Sequence, residues 1–138
     1  YDEEIREHIK KRISEITQGI ASSFRGKGTA DFGNGCPPLK NDGELSKEIE
    51  GYLTDAFGEE RVLNTEKMGG RTNKSGGSED FSYISQEVPS LMLALAAGNS
   101  EERYIYPQHH PKVKFDEKVL PIGSAALAQS AFYWLENH

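Results

Sequence analysis

Isoleucines at Ile5, Ile9, Ile13, Ile16 and Ile20 recur in steps of four, four, three and four, which a 3.6-residue period gathers onto one stripe of a helix. The spacing predicts a helix over residues 2–23, with Glu3, Arg6, Lys10, Lys11 and Glu15 on its polar side. Acidic residues at its start suit the positive end of the helix dipole. A stripe so uniformly apolar calls for a flat partner, typically a sheet. Gly26 and Gly28 are positioned to end the helix, and residues 29–32 (Thr29, Ala30, Asp31, Phe32) read as a short strand. Turn signals follow at Gly33, Asn34, Gly35 and the pair Pro37 and Pro38.

Beyond that exit the pattern changes to alternating helices and strands. Asn41 with Glu44 resembles a capping box, the stripe Leu45, Ile49, Leu53 and Ala56 predicts a second helix, and Gly58 is placed to terminate it. Val62 and Leu63 begin a short strand, and residues 68–77 form a polar, glycine-rich loop. Ser78 and Glu79 are expected to open a short helix through Phe81, Ile84 and Val88, stopped by Pro89. Residues 90–97 form an apolar run of strand length, expected to be buried on both faces. After a polar loop and a segment with two adjacent histidines comes a final helix from about Leu120 to Asn137. It is apolar over most of its circumference and is expected to pack deeply. The alternation implies an α/β layer architecture.

At 138 residues, with 36% hydrophobic and 28% charged residues, the composition is that of a globular chain. A net charge of −6, with Lys and Arg interleaved among Asp and Glu, argues against nucleic acid as a partner. No apolar run approaches the roughly 20 residues that cross a bilayer, so no membrane partner is expected. Cys36 is the single cysteine, which excludes an internal disulfide and a multi-cysteine zinc cluster. With no charged and then apolar leader pattern at Tyr1, a cytoplasmic segment of a longer chain is expected.

Three stretches carry candidate chemistry. His109 and His110 precede Pro111 in a loop; neighbouring side chains of an extended segment face opposite ways, so a metal reading concerns one of them, and loop histidines are more often surface residues than ligands. Residues 76–80 (Gly76, Gly77, Ser78, Glu79, Asp80) admit a close backbone approach holding a substrate carboxylate, a plain N-cap at Ser78, or a phosphate loop, although the Gly-Lys-Ser/Thr ending of the last is missing. Cys36 beside two prolines fits a small buried hydrophobe better than a nucleophile.

The order of several short motifs resembles the last part of the dinuclear zinc amidohydrolases and peptidases of the aminoacylase, hippurate-hydrolase and auxin-conjugate-hydrolase branch. The matching landmarks are Cys36-Pro37-Pro38 with Asn41-Asp42, Gly77-Ser78-Glu79-Asp80-Phe81-Ser82, Val88-Pro89, and His109-His110-Pro111 with Phe115-Asp116-Glu117 and Leu120-Pro121-Ile122-Gly123. The resemblance implies that residues 1–37 end a ferredoxin-like lid, also the dimerisation surface, and that residues 38–138 form the C-terminal part of an α/β catalytic domain. It assigns His109, two positions before the proline, as one metal ligand, and Gly77 and Ser78 as contacts for a substrate carboxylate. Gln108 stands where such proteins usually carry leucine.

The resemblance further implies a divalent metal, zinc above manganese, cobalt or nickel, at two per complete site, and hydrolysis of the amide bond of N-acyl amino acids or small peptides. None of the remaining ligand motifs or the paired glutamates is present here, so no catalytic residue is expected in this chain, and His109 alone falls short of the roughly three protein ligands a catalytic zinc needs. A homodimer or self-associating chain is expected. The competing expectations are a non-catalytic dimerisation module that keeps the fold and an unrelated small α/β domain.

Overall fold

The first helix, α1 (Glu3–Ser23), forms where the isoleucine period predicts it. The computed structural model describes residues 2–64 and 77–138; most of the glycine-rich loop expected at residues 68–77 lies outside them, Gly76 included. The Asp2 carboxylate accepts a hydrogen bond from the Ile5 amide at 3.0 Å, satisfying one of the free donors of the first turn. At the other end the Gly26 amide donates to the Ala21 carbonyl and the Arg25 amide to the Ser22 carbonyl, the two bonds of a Schellman motif. The left-handed residue of that motif is Arg25, at φ 57°. Sequence reasoning assigned the stop to Gly26 and Gly28; the turn takes place one residue earlier, and Gly28 serves instead to let the exiting chain approach Thr17 and Ala21, where a Cβ would sit 3.0–3.1 Å from their atoms.

The described chain divides into two compact units, one of residues 2–42 and 77–90, the other of residues 43–64 and 91–138. In the first unit, α3 (Phe81–Glu87) anchors the proline-rich exit. The Tyr83 hydroxyl donates to the Gly35 carbonyl at 2.6 Å, and the Gln86 side-chain amide donates to the Pro38 carbonyl at 3.1 Å. The Asp42 amide closes the same segment by donating to the Ser90 carbonyl at 2.8 Å. Val88 adopts an extended conformation before Pro89, as the clash of a proline ring with a preceding helical residue requires. All five isoleucines of α1 are between 42% and 59% exposed, so no sheet covers the stripe among the described residues.

The second unit is a helix pair. α2 (Gly43–Phe57) buries Ile49 and Leu53 from its predicted stripe, and Gly58 at φ 93° ends it. Because α2 begins at Gly43, Asp42 rather than Asn41 stands directly before it. α4 (Leu120–Asn137) follows a 3-10 turn (Glu117–Val119), with Pro121 in its first turn, where its missing N–H is not needed. The two helices pack together through Tyr52 and Tyr133, whose ring centroids lie 5.5 Å apart, while His138 stacks on Trp134 and reaches within 3.7 Å of Glu48. The Tyr52 hydroxyl donates to that same Glu48 carboxylate, which raises the tyrosine pKa above its ordinary value.

α4 is not deeply packed: none of its residues is buried, and Leu127 and Leu135 are 65% and 71% exposed. Residues 29–32, 62–63 and 90–97 are not strands; the described backbone contains a single antiparallel bridge, Asn99 with Tyr104. An apolar run becomes a strand only when neighbouring chain accepts and donates along its edges, and no such ladder accompanies these segments among the described residues. Leu95 instead lies against Gly123 of α4, close enough that a Cβ there would displace the end of the leucine side chain.

Candidate functional site

The histidine loop is built on a small hydrogen-bonded frame in the second unit. The Asn99–Tyr104 bridge pins a tight turn, with the Tyr104 amide donating to the Asn99 carbonyl at 2.7 Å. The Asn99 side chain links two further elements: its oxygen accepts from the Glu102 amide at 3.0 Å, and its nitrogen donates to the Asp116 carboxylate at 2.7 Å. Asp116 also accepts from the Lys118 amide, and its own amide donates to the Ala97 carbonyl at 2.9 Å. The Asn99 amide, followed by the Lys118 amide, holds the Asp116 carboxyl below its usual pKa. Residues 97–104 are thereby tied to the start of α4, with residues 105–115 suspended between them.

Within that span the two histidines are treated differently. The His110 amide donates to the Pro107 carbonyl at 3.1 Å, closing a four-residue turn in which His109 takes the third position with φ 69°. That is the turn position where a left-handed backbone is called for, and a residue with a Cβ adopts it at a cost. The His110 ring stacks on Tyr106 at 4.4 Å, and its Nδ1 accepts from the Lys112 amide at 3.0 Å. His110 is thus committed to local structure. His109 is exposed, and its imidazole makes no hydrogen bond to any described residue.

Gly77 and Ser78 lie in the first unit and are both exposed. The helix expected to open at Ser78 begins at Phe81, with Asp80 at the cap position. The reason is local: the Glu79 carboxylate accepts from the Phe81 amide at 3.1 Å, and the Ser82 and Tyr83 amides bond back to Glu79 and Asp80. The Phe81, Ser82 and Tyr83 amides, at the helix start the sequence offers to a substrate carboxylate, are therefore already engaged. Ser82 is fully buried, and among the described residues its hydroxyl has no partner.

No group of three or more His, Cys, Asp or Glu side chains that could hold a metal ion occurs among the described residues, so these residues do not form a metal site by themselves. Cys36 is a free, half-buried thiol. Sequence reasoning passed over Asn99 and Tyr106, which shape the histidine loop; a single Asn in a polar loop carries no periodic signal, and only its fold partners reveal it. No helix among the described residues is long and apolar enough to cross a membrane.

Comparison with known proteins relates the chain to hydrolases over nearly its whole length. It is 25% identical over 134 residues, 97% of this chain and 33% of the relative, to a Synechocystis sp. protein named as a hydrolase (sll0100). It is 26% identical over 132 residues, 95% of this chain and 31% of the relative, to a Bacillus subtilis protein named as an amidohydrolase (YhaA). The chain thus spans about a third of the length of the curated relatives it matches. No family model matches it, and no solved structure does.

Proposed function

We propose that this chain is the C-terminal part of a metal-dependent amidohydrolase acting on N-acyl amino acids or small peptides, and that it supplies one metal ligand, His109. The relation to a hydrolase and an amidohydrolase supports the reaction class, and the matched third of those proteins supports a role as part of a longer chain. One observation carries the residue assignment: of the adjacent histidines, His110 is occupied by Tyr106 and the Lys112 amide, whereas His109 presents an uncommitted imidazole from a strained turn. Strained positions are retained where the surrounding structure over-determines them, most often at functional sites. Gly77 and Ser78 are proposed to meet the substrate carboxylate.

A divalent metal, with zinc first among the choices, would bring an activated water and a polarised carbonyl. The residues of this chain would contribute a neutral imidazole and the loop that orients it. In the complete protein, His109→Ala is expected to lose bound metal and to reduce amide hydrolysis by more than the roughly 10–100-fold that outer-sphere partners of a metal cost, while His110→Ala retains the metal. Metal content by atomic emission and turnover of an N-acyl amino acid read this directly. Unchanged stoichiometry and activity in His109→Ala would remove His109 from the site. The uncovered isoleucine stripe of α1 favours a second reading, a non-catalytic dimerising module; a complete protein with no hydrolytic activity towards any acylated amino acid would select it.

A further inference from the structure

We propose that the Asn34–Gly35 pair in the proline-rich exit is a site of spontaneous covalent modification, closing to a succinimide that reopens as aspartate and isoaspartate. Asparagine is a thermolabile residue, and its ring closure requires the backbone nitrogen of the following residue to reach the side-chain carbonyl carbon. Hydroxide takes the Gly35 amide proton, the nitrogen bonds to Asn34 Cγ, and the Cγ–Nδ2 bond breaks as ammonia leaves with a proton from water. Water then adds to either ring carbonyl. Opening at one restores the ordinary backbone as aspartate, and opening at the other routes the backbone through the side chain as isoaspartate. Water is the only co-reactant.

The structure leaves each step unopposed at this pair. Asn34 and Gly35 are exposed and lie outside any helix, and neither the Asn34 side chain nor the Gly35 amide is hydrogen-bonded to a described residue. Gly35 has no Cβ to hinder the attack. An Arg6 guanidinium nitrogen instead approaches within 2.9 Å of where a Cβ would sit. Although Arg6 also pairs with Glu3 and Glu7, its positive charge favours the amide anion through which the ring closes. The Gly35 carbonyl is anchored by the Tyr83 hydroxyl, so the attacking residue is held in place.

The other asparagines that the structure describes are guarded. After Asn41, the Asp42 amide is committed to the Ser90 carbonyl at 2.8 Å. The side-chain nitrogens of Asn64, Asn99 and Asn137 donate to Glu50, Asp116 and the Tyr133 carbonyl at 2.6, 2.7 and 2.7 Å. Each of these four is also followed by a residue that carries a Cβ. Conversion at Asn34 would add a negative charge beside Arg6 on a chain already at −6, and isoaspartate would lengthen the backbone next to the Tyr83 anchor.

The test is incubation of the complete protein in mildly alkaline buffer, followed by tryptic mapping by mass spectrometry and labelling with an isoaspartyl methyltransferase. The peptide of residues 28–40 is expected to gain the mass of an amide-to-acid conversion, to contain both aspartate and isoaspartate, and to react faster as the pH rises. Its rate should exceed that at Asn41, Asn64, Asn99 and Asn137 by about tenfold or more, because a hydrogen bond must first be broken at those sites. Asn34→Gln should abolish the isoaspartate label on this peptide while circular dichroism remains that of the parent. The proposal is overturned by an unchanged peptide mass, by equal rates at the guarded asparagines, by aspartate formed without isoaspartate, or by a label that persists on the peptide in Asn34→Gln.

Discussion

Asp116 concentrates the bonding of the histidine loop in one carboxylate, and its protonation is the simplest handle on that loop. Its pKa in the folded protein is depressed, first by the Asn99 side-chain amide and then by the Lys118 amide. A depressed carboxyl favours folding in its ionised form, so its contribution is complete above the ordinary value of 3.8 and is lost as the pH falls through the lower folded value. The Asn99 side-chain amide signal should therefore move in a step below pH 3.8, and Asp116→Asn should abolish that step and loosen the Tyr104 bridge at neutral pH. Ser82 poses the opposite case, a fully buried hydroxyl without a described partner. Removing an unpartnered buried polar atom relieves its desolvation cost, so Ser82→Ala should leave denaturant stability unchanged or raise it by up to about 1 kcal/mol. A loss of that size would instead reveal a partner for the hydroxyl.

Among the elements, α1 is defined by its ends as much as by its stripe. Asp2→Ala removes the side-chain acceptor for the Ile5 amide and should cost about 1 kcal/mol of helix stability. Arg25→Gly relieves a left-handed residue with a Cβ and should gain up to about 1 kcal/mol; circular dichroism melts of the two variants should shift in opposite directions. The helices were legible because their signals are local: a 3.6-residue period, an acidic cap and a terminating glycine all lie within one turn or two. The strand expected at residues 90–97 did not form among the described residues, because an apolar run does not encode the ladder partners a strand needs. α4 shows the same limit. Its apolar circumference correctly marked a helix but overstated its burial, since burial depends on what else is present to pack against it.

For the whole molecule, apolar surface is the dominant property. Ile49 and Leu53 are the buried hydrophobic residues among those described, whereas the α1 isoleucines, Leu127, Phe132 and Leu135 are exposed. An exposed apolar stripe such as that of α1 drives association. Sedimentation of the isolated chain should show mass increasing with concentration, and replacing Ile9 and Ile13 by Glu should lower it if the α1 stripe is the contact; an unchanged distribution would move the contact to α4. The candidate site was legible to a comparable degree. The residue pattern before Pro111 marks a pair of histidines and the family resemblance picks His109, while the Tyr106 stack and the Lys112 amide, brought together by folding, show what His110 is committed to.

If His109 is the metal ligand proposed above, its left-handed backbone sets heat resistance and chemistry against each other at a single codon. Glycine and asparagine occupy such a conformation at less cost than histidine. A library at this position sorted only for survival on heating should return those two residues repeatedly, and one sorted for amide hydrolysis by the complete protein should return histidine at the expense of thermal tolerance. Convergence of the two selections on glycine or asparagine would remove the imidazole from the proposed chemistry.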